Sequence, residues 1–290
     1  RRVDGQWAQP GTTTAHEEDG FRHPSTLPDS PPSRPAGGKG TRNVDAMTEH
    51  PEHLRRRSLA AAPGSPWVTY YDAGSGARVE LSAATLDNWI AKASGLLADE
   101  YDIDSDSIVT VDVGHHWLLH VWAWSVWALG AAVALPDAND QSDLAVAAVG
   151  AGQLPVPPGS IPTLVCASDP FARPLGPRTP PGCIDVMAEI AAFPDVNPTP
   201  APSASARTVV AATRTLDGAA AVRAARDLNA VSGERLLVTV EPSTIEGLLA
   251  ATLSAATTGG STVLVDGTPD EGTLRDIVRQ ERVDHQIRNL

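Results

Sequence analysis

Residues 107–136 read SIVTVDVGHHWLLHVWAWSVWALGAAVALP, and this stretch decides the fold. The β-branched run at 107–113 is typical of a buried strand. The uncharged run at 115–129 is long enough for a helix, and Gly130 ends that helix before a second apolar run at 131–135. A strand, a helix and a strand in this order predict a unit of parallel sheet with a crossover helix.

The same alternation continues on both sides of this stretch. Two aromatic and β-branched runs, 66–72 and 77–81, flank the turn residues 74–76 and predict a hairpin, after which Ser82 is suited to cap a helix. Further strands are predicted at 144–149, 163–167, 208–212, 235–240 and 261–265, and further helices at 184–192, 218–230, 243–256 and 270–281. We therefore predict an α/β fold: two α/β lobes with mostly parallel sheets flanked by helices.

Composition divides the chain into three predicted parts. Residues 1–46 are rich in Pro, Gly, Ser, Thr and charge and contain no methionine, which predicts a disordered extension or a misassigned start ahead of Met47. Residues 47–206 are predicted to form the first lobe together with a proline-rich linker at 193–206. Residues 207–290 are predicted to form the second lobe.

The overall charge limits the functions that are open to the protein. A formal net charge of -13 and a pI near 4.9 argue against a nucleic-acid partner, because neutralising phosphates requires clustered Lys and Arg. The uncharged residues 117–135 are nearly long enough to span a membrane, but Gly130 and His120 interrupt them, so we predict no membrane partner and a cytoplasmic protein. Cys166 and Cys183 form no metal-binding series and are predicted to be reduced thiols.

Six short segments carry a resemblance to a known family. They are VELSAATL (79–86), DSIVTV (106–111), WALGAAVALP (127–136), GERLLVTVEP (233–242), GGSTVLV (259–265) and QERVDH (280–285). In this order they resemble the N-terminal domain of the adenylate-forming superfamily, which includes acyl-CoA synthetases and nonribosomal peptide adenylation domains. The chain also resembles a group of short actinobacterial proteins that keep this N-terminal portion.

The resemblance implies a phosphate loop of the type T-S-G-T-T-G-x-P-K-G, whose glycines let backbone N–H groups approach phosphate. The matching place is TRTLDGAAA at 213–221, where Thr213 and Gly218 survive and the first glycine and the lysine are missing. We take Thr213, Arg214, Thr215 and Gly218 as the candidate residues of a degenerate phosphate loop that would hold ATP or AMP. Arg214 either replaces the missing cation or pairs with Asp217 at a turn, and the pairing is the favoured interpretation.

The resemblance also implies ATP-dependent activation of a carboxylate, but further family features are missing before Leu290. They are the later nucleotide-binding motifs and a small C-terminal domain with a catalytic lysine. We therefore predict a truncated pseudoenzyme with no catalytic residues and no certain cofactor or metal, acting as a non-catalytic or accessory module that binds a small acyl ligand or a protein. The alternative is one half of a split acyl-activating enzyme completed by a separate chain. A third hypothesis is a nucleotide-binding α/β protein of unrelated activity.

Two further patterns in the predicted helix 115–129 have a functional and a structural interpretation. His116 and His120 lie four residues apart, as in metal-binding pairs, but no third ligand is evident, so we expect partly buried imidazoles with local hydrogen bonds. Trp117, Trp124 and Trp127 lie near one helical face and would line a pocket or pack in the core, and core packing is the favoured interpretation.

Overall fold

The structure, a computed structural model, describes residues 49–149, 161–196, 199–228 and 234–289. The predicted extension over residues 1–46 lies outside the described residues. The elements, in chain order, are α1 (Pro51–Ala61), β1 (Pro66–Asp72), β2 (Arg78–Ser82), α2 (Ala83–Tyr101), β3 (Ile108–Asp112), α3 (Leu118–Ala128), β4 (Ala132–Ala134), β5 (Leu144–Val149), β6 (Thr163–Ala167), β7 (Ile184–Asp185), α4 (Val186–Glu189), β8 (Arg207–Val210), β9 (Thr215–Asp217), α5 (Gly218–Leu228), β10 (Arg235–Val238), α6 (Ile245–Thr252), α7 (Ser254–Thr258), β11 (Ser261–Asp266), α8 (Glu271–Gln280) and β12 (His285–Ile287). Short 3-10 helices lie at Pro136–Gln141, Gly176–Arg178 and Ile190–Ala192.

The described strands form two sheets. The larger has the order β7-β6-β5-β3-β4-β8-β9, and the smaller has the order β12-β10-β11-β1-β2. Neighbouring strands are parallel except in the two hairpins, β1 with β2 and β8 with β9. The predicted α/β class with mostly parallel sheet is confirmed.

The two sheets do not follow one another along the chain as the predicted lobes do. Strands β1 and β2, from the first predicted lobe, join the smaller sheet through the parallel pairing of β1 with β11. Strands β8 and β9, from the second predicted lobe, extend the larger sheet beyond β4. The reason is that an apolar strand such as β1 must find a buried neighbour, and that neighbour is far away in the sequence.

The stretch that decides the fold has the predicted order. Strands β3 and β4 pair in parallel, and α3 connects them. Gly130 adopts a φ of +82°, a left-handed conformation that glycine reaches at little cost, and the chain turns there into β4. Every residue of α3 is buried, so this uncharged helix belongs to the core. Among the helices of the described residues, none is both long enough and apolar enough to cross a membrane.

The local signals around the first hairpin are also confirmed. Strands β1 and β2 pair around the turn, where the Gly76 N–H donates to the Asp72 carbonyl at 2.8 Å. The Ser82 hydroxyl then accepts a hydrogen bond from the Thr85 N–H at 3.2 Å and caps α2.

Helix α1 is an element that the sequence pattern did not reveal. Its segment PEHLRRRSLAA has a charged composition without a clear apolar stripe. Leu54 of α1 is fully buried in the core, and Arg55 pairs with Asp87 on α2. Within the helix, the buried Glu52 carboxylate accepts from Arg55 Nε at 2.7 Å and from Arg56 Nε at 2.6 Å.

The Glu281 carboxylate, just after α8, fastens that helix to the smaller sheet. It accepts from Tyr71 Oη at 2.5 Å, from Arg78 Nε at 2.8 Å and from Arg235 on β10. Burial alone would raise the pKa of Glu281, but these three donors outweigh burial and lower the pKa to about 2. The ionised carboxylate therefore joins β1, β2, β10 and α8.

Replacing Glu281 with glutamine is expected to lower the free energy of unfolding by about 2–4 kcal/mol, because two arginines lose a buried anionic partner. Urea denaturation at pH 7 measures the change as a lower midpoint at an unchanged slope. The matched control is Asp276→Asn, which removes an exposed pair with Arg279 and should change stability by less than about 1 kcal/mol. Equal effects of the two substitutions on the free energy of unfolding would show that the Glu281 cluster stabilises the protein no more than an exposed ion pair does.

Candidate functional site

The segment predicted as a phosphate loop forms a tight hairpin turn. Val210 of β8 is paired with Thr215 of β9, and the Ala211 N–H donates to the Arg214 carbonyl at 3.0 Å. The turn contains no glycine, and of the described residues other than glycine only Asp102, Ala172 and Arg282 have a positive φ. The turn therefore lacks the glycines and left-handed conformations with which phosphate loops direct successive N–H groups at one anion.

Three of the four candidate residues come together and one does not. Thr213, Arg214 and Thr215 line a cavity of about 380 Å³ together with Asp137 from the 3-10 helix after β4. Gly218 is the buried first residue of α5, and a Cβ on it would lie 2.6 Å from Cδ2 of the buried His50 ring. Gly218 thus serves a close packing contact, which requires the absence of a side chain.

The predicted pairing of Arg214 with Asp217 is wrong. The Arg214 guanidinium instead forms an ion pair with Glu246 in the first turn of α6. The Asp217 carboxylate accepts from the Ala220 N–H at 2.7 Å and thereby caps α5. The helix that starts at Gly218 holds the Asp217 side chain through a local hydrogen bond, which leaves Arg214 to a partner that is distant in the sequence.

The position of the cavity matches where α/β proteins bind ligands. Strands β4 and β8 run parallel, and the cavity lies beyond their carboxyl ends, between the Pro136–Gln141 helix and the β8–β9 turn. Its polar groups include the Asp137 carboxylate, two threonine hydroxyls and the Arg214 guanidinium. These groups offer hydrogen bonds to a polar ligand, although the one cation among the lining residues is already paired with Glu246.

A second cavity, of about 390 Å³, has a different character. It lies against α2, where Ala91, Gly95 and Ala98 form part of its wall, with Leu129 and Val196 among the other lining residues. Phe193 packs on Gly95, and Lys92 Nζ donates to the Phe193 carbonyl at 2.5 Å, which holds the following segment against the helix. The mostly apolar wall suits a hydrocarbon group better than a phosphate.

Histidines bridge the two sheets near the carboxyl ends of their strands. The His116 Nε2 lies 3.1 Å from the Asp169 carbonyl after β6, and Nδ1 accepts from the Leu118 N–H at 3.2 Å. The ring contacts the Tyr70 ring of β1 at a tilt of 50°, with centroids 4.7 Å apart. These partners require the proton on Nε2. The adjacent His115 contacts the Val240 carbonyl after β10.

Burial keeps His116 and His120 neutral. It lowers the pKa of His116 to about 4 and that of the fully buried His120 to about 3. His116 has the local hydrogen bonds that were expected of it, and both rings are more deeply buried than predicted. Within the ranges that the structure describes, no three His, Cys, Asp or Glu side chains converge as metal ligands would.

The tryptophans pack in the core, as favoured from the sequence. Trp124 makes edge-to-face contacts with Trp67 and Trp127, each with ring centroids 5.3 Å apart. The Trp127 indole N–H donates to the Thr208 carbonyl and that of Trp117 to the Pro170 carbonyl, both at 2.9 Å. Cys166 and Cys183 form no disulfide, as predicted, and burial raises the pKa of the Cys166 thiol to about 12.

Comparison with known proteins places the chain in a family. A curated protein of Mycobacterium tuberculosis, described as a TIGR03089 family protein, is 32% identical over 240 residues, which cover 78% of this chain and 92% of that protein. The chain belongs to the TIGR03089 family. A scan against protein-family models finds no match. The actinobacterial relationship expected from the sequence is thereby supported.

A solved structure shows the fold of this family member. The crystal structure of an acyl-CoA synthetase of Brucella canis superposes with a TM-score of 0.68 at 16% identity, over 83% of this chain and 47% of the synthetase. The chain thus spans about half the length of that enzyme. At this low identity the likeness establishes an acyl-CoA synthetase-like fold, as the six segments had implied.

Acid is expected to destabilise this family member through its buried histidines. His50, whose pKa burial lowers to about 4, His116 and His120 stay unprotonated in the folded state, whereas the unfolded chain binds protons at its ordinary pKa of 6.5. The contribution of these neutral histidines to the free energy of unfolding is fully present above pH 6.5. It decreases as pH falls towards 4, by up to about 1.4 kcal/mol per pH unit for each histidine. Urea denaturation at pH 7, 6 and 5 measures the slope.

The variant His120→Leu tests whether the buried histidines cause this pH dependence. It should reduce the change of the free energy of unfolding with pH by about the contribution of one histidine. The control His285→Gln changes an exposed ring and should keep the full slope. An unchanged slope in the His120 variant would show that this ring does not contribute.

Proposed function

We propose that this protein is a non-catalytic member of the acyl-CoA synthetase-like fold that binds a ligand or a protein partner and does not form an adenylate by itself. The observation that carries the proposal is the β8–β9 turn. Closed by the hydrogen bond from the Ala211 N–H to the Arg214 carbonyl, it has neither the glycines nor the lysine that the resemblance implies for a phosphate loop.

The chemistry of adenylate formation explains why this turn matters. Negative charge develops on the α-phosphate and pyrophosphate in the transition state, and it must be met by preorganised N–H groups and cations. The turn offers Arg214, which Glu246 already neutralises, and the neighbouring Asp137 carboxylate would repel phosphate. These charges support a binding role and oppose phosphoryl chemistry at this edge of the sheet.

Purified protein is expected to give no carboxylate-dependent exchange of pyrophosphate into ATP above a blank without protein. A complete acyl-CoA synthetase in the same assay provides the positive control, and the carboxylates tested should range from short fatty acids to aromatic acids. Exchange that follows the protein through successive purification steps would disprove the proposal.

The ligand class proposed for the apolar cavity against α2 is a small acyl group. Its volume of about 390 Å³ and its mostly apolar wall support this choice. Short-chain fatty acids are expected to raise the melting temperature, because a ligand that binds only the folded state at a hundred times its Kd contributes about 2.7 kcal/mol. Replacing Ala98 with leucine should fill the cavity and abolish the shift, whereas Ala98→Ser should keep it. A flat response to every acid would favour a protein partner.

The second candidate function is one half of a split acyl-activating enzyme. The acyl-CoA synthetase-like fold supports it, since a separate chain would then supply the lysine that the β8–β9 turn lacks. Co-purification from the native host, followed by the exchange assay on the complex, distinguishes the two candidates. Exchange by the complex but not by the isolated chain would establish the split enzyme.

A further inference from the structure

The position of Glu246 is set by the tight start of α6. The Thr244 hydroxyl caps the helix by accepting from the Gly247 N–H at 3.0 Å, and the Ile245 side chain is buried. A Cβ on Gly247 would lie 2.1 Å from the Glu241 carbonyl oxygen, so the first turn of α6 packs directly on the preceding loop. The Glu246 carboxylate therefore projects from a fixed helix end, whose dipole favours a negative charge.

That carboxylate binds the cation of the polar cavity. Arg214 is the single positively charged residue among those that line the cavity, and its guanidinium is paired with Glu246, which lies 32 positions further along the chain. Glu246 does not itself line the cavity, but its carboxylate pairs with the guanidinium on which an anionic ligand in the cavity would depend. Asp137 contributes a second carboxylate to the same wall.

We propose that Glu246 is an internal anion that occupies Arg214 and excludes phosphate-bearing ligands from the cavity at the β8–β9 turn. With Glu246 in place, the threonine hydroxyls and Asp137 favour a neutral or zwitterionic polar ligand. This inference rests on the proposed non-catalytic function, because it names the residue that prevents polyphosphate from binding at the site.

The test compares pyrophosphate binding to the full chain and to the variant Glu246→Gln by isothermal titration calorimetry. Glutamine keeps the side-chain shape and removes the charge, so Arg214 becomes available to the ligand. The expected result is an affinity for pyrophosphate about two- to fivefold higher than that of the unchanged protein, the range that an exposed ion pair of up to about 1 kcal/mol allows. Raising the salt concentration should reduce the gain.

Two further variants make the result specific. Glu271→Gln is the matched control, since Glu271 also lies in the first turn of a helix and pairs with an exposed arginine, Arg288 at 2.5 Å, but that arginine does not line the cavity. It should leave pyrophosphate affinity unchanged. The double variant Arg214→Gln with Glu246→Gln should lose the gain, because the gain depends on the freed guanidinium.

The assignment is overturned if Glu246→Gln binds pyrophosphate no more tightly than the unchanged protein. It is also overturned if Glu271→Gln gives an equal gain, or if the double variant keeps the gain. The proposed function fails on a separate result, pyrophosphate exchange by the unchanged protein, so the two failures are distinguishable.

Discussion

Helix α3 has no polar face, and the need to cover it on every side organises the rest of the structure. All of its residues are buried, and it packs against α1, α2 and α6 as well as β3 and β4. Helix α6 also packs on β11 of the smaller sheet. The contact of α3 with α6 therefore links the larger sheet, on which α3 packs, to the smaller one. The α3 tryptophans Trp122, Trp124 and Trp127 are fully buried, and the apolar area that they bury stabilises this packing.

Polar contacts fix the relative positions of the strand ends. His115 and His116 reach backbone carbonyls that follow β10 and β6, and the His116 ring contacts the Tyr70 ring. The neutral His116 imidazole suits this role, since it satisfies a buried carbonyl without the cost of burying a charge. At the other side of the smaller sheet, Glu281 uses its charge to hold two arginines. The two sets of contacts stabilise the same architecture by opposite electrostatic means.

The candidate site combines an acyl-CoA synthetase-like fold with a turn that lacks the glycines and the lysine of the implied phosphate loop. The sheet still opens a cavity at the carboxyl ends of β4 and β8, where the fold places ligands. The turn above it is closed by its own backbone hydrogen bond, and the Arg214 guanidinium pairs with a neighbouring helix. The Gly218 position now accommodates His50, so a residue that resembles a phosphate-loop glycine supports packing of the N-terminal helix instead. Family membership and fold are thus compatible with a binding role for this edge of the sheet.

The sequence by itself determined the features that depend on neighbouring residues. The strand at Ile108–Asp112, the Ser82 cap of α2 and the left-handed turn at Gly130 all follow from local backbone preferences. Helix α1 escaped detection because its sequence has no clear apolar stripe; the buried Leu54 and the ion pair of Arg55 with Asp87 on α2 hold it in place.

Only the tertiary structure decided which distant residues meet. The pairing of β1 with β11, the choice of Glu246 over Asp217 as the partner of Arg214, and the contact of His50 with Gly218 join residues that are far apart in the chain. Nothing in the local pattern encodes these choices, because a strand edge or a charged side chain accepts many partners of the right type. The packing of the whole core selects one of them.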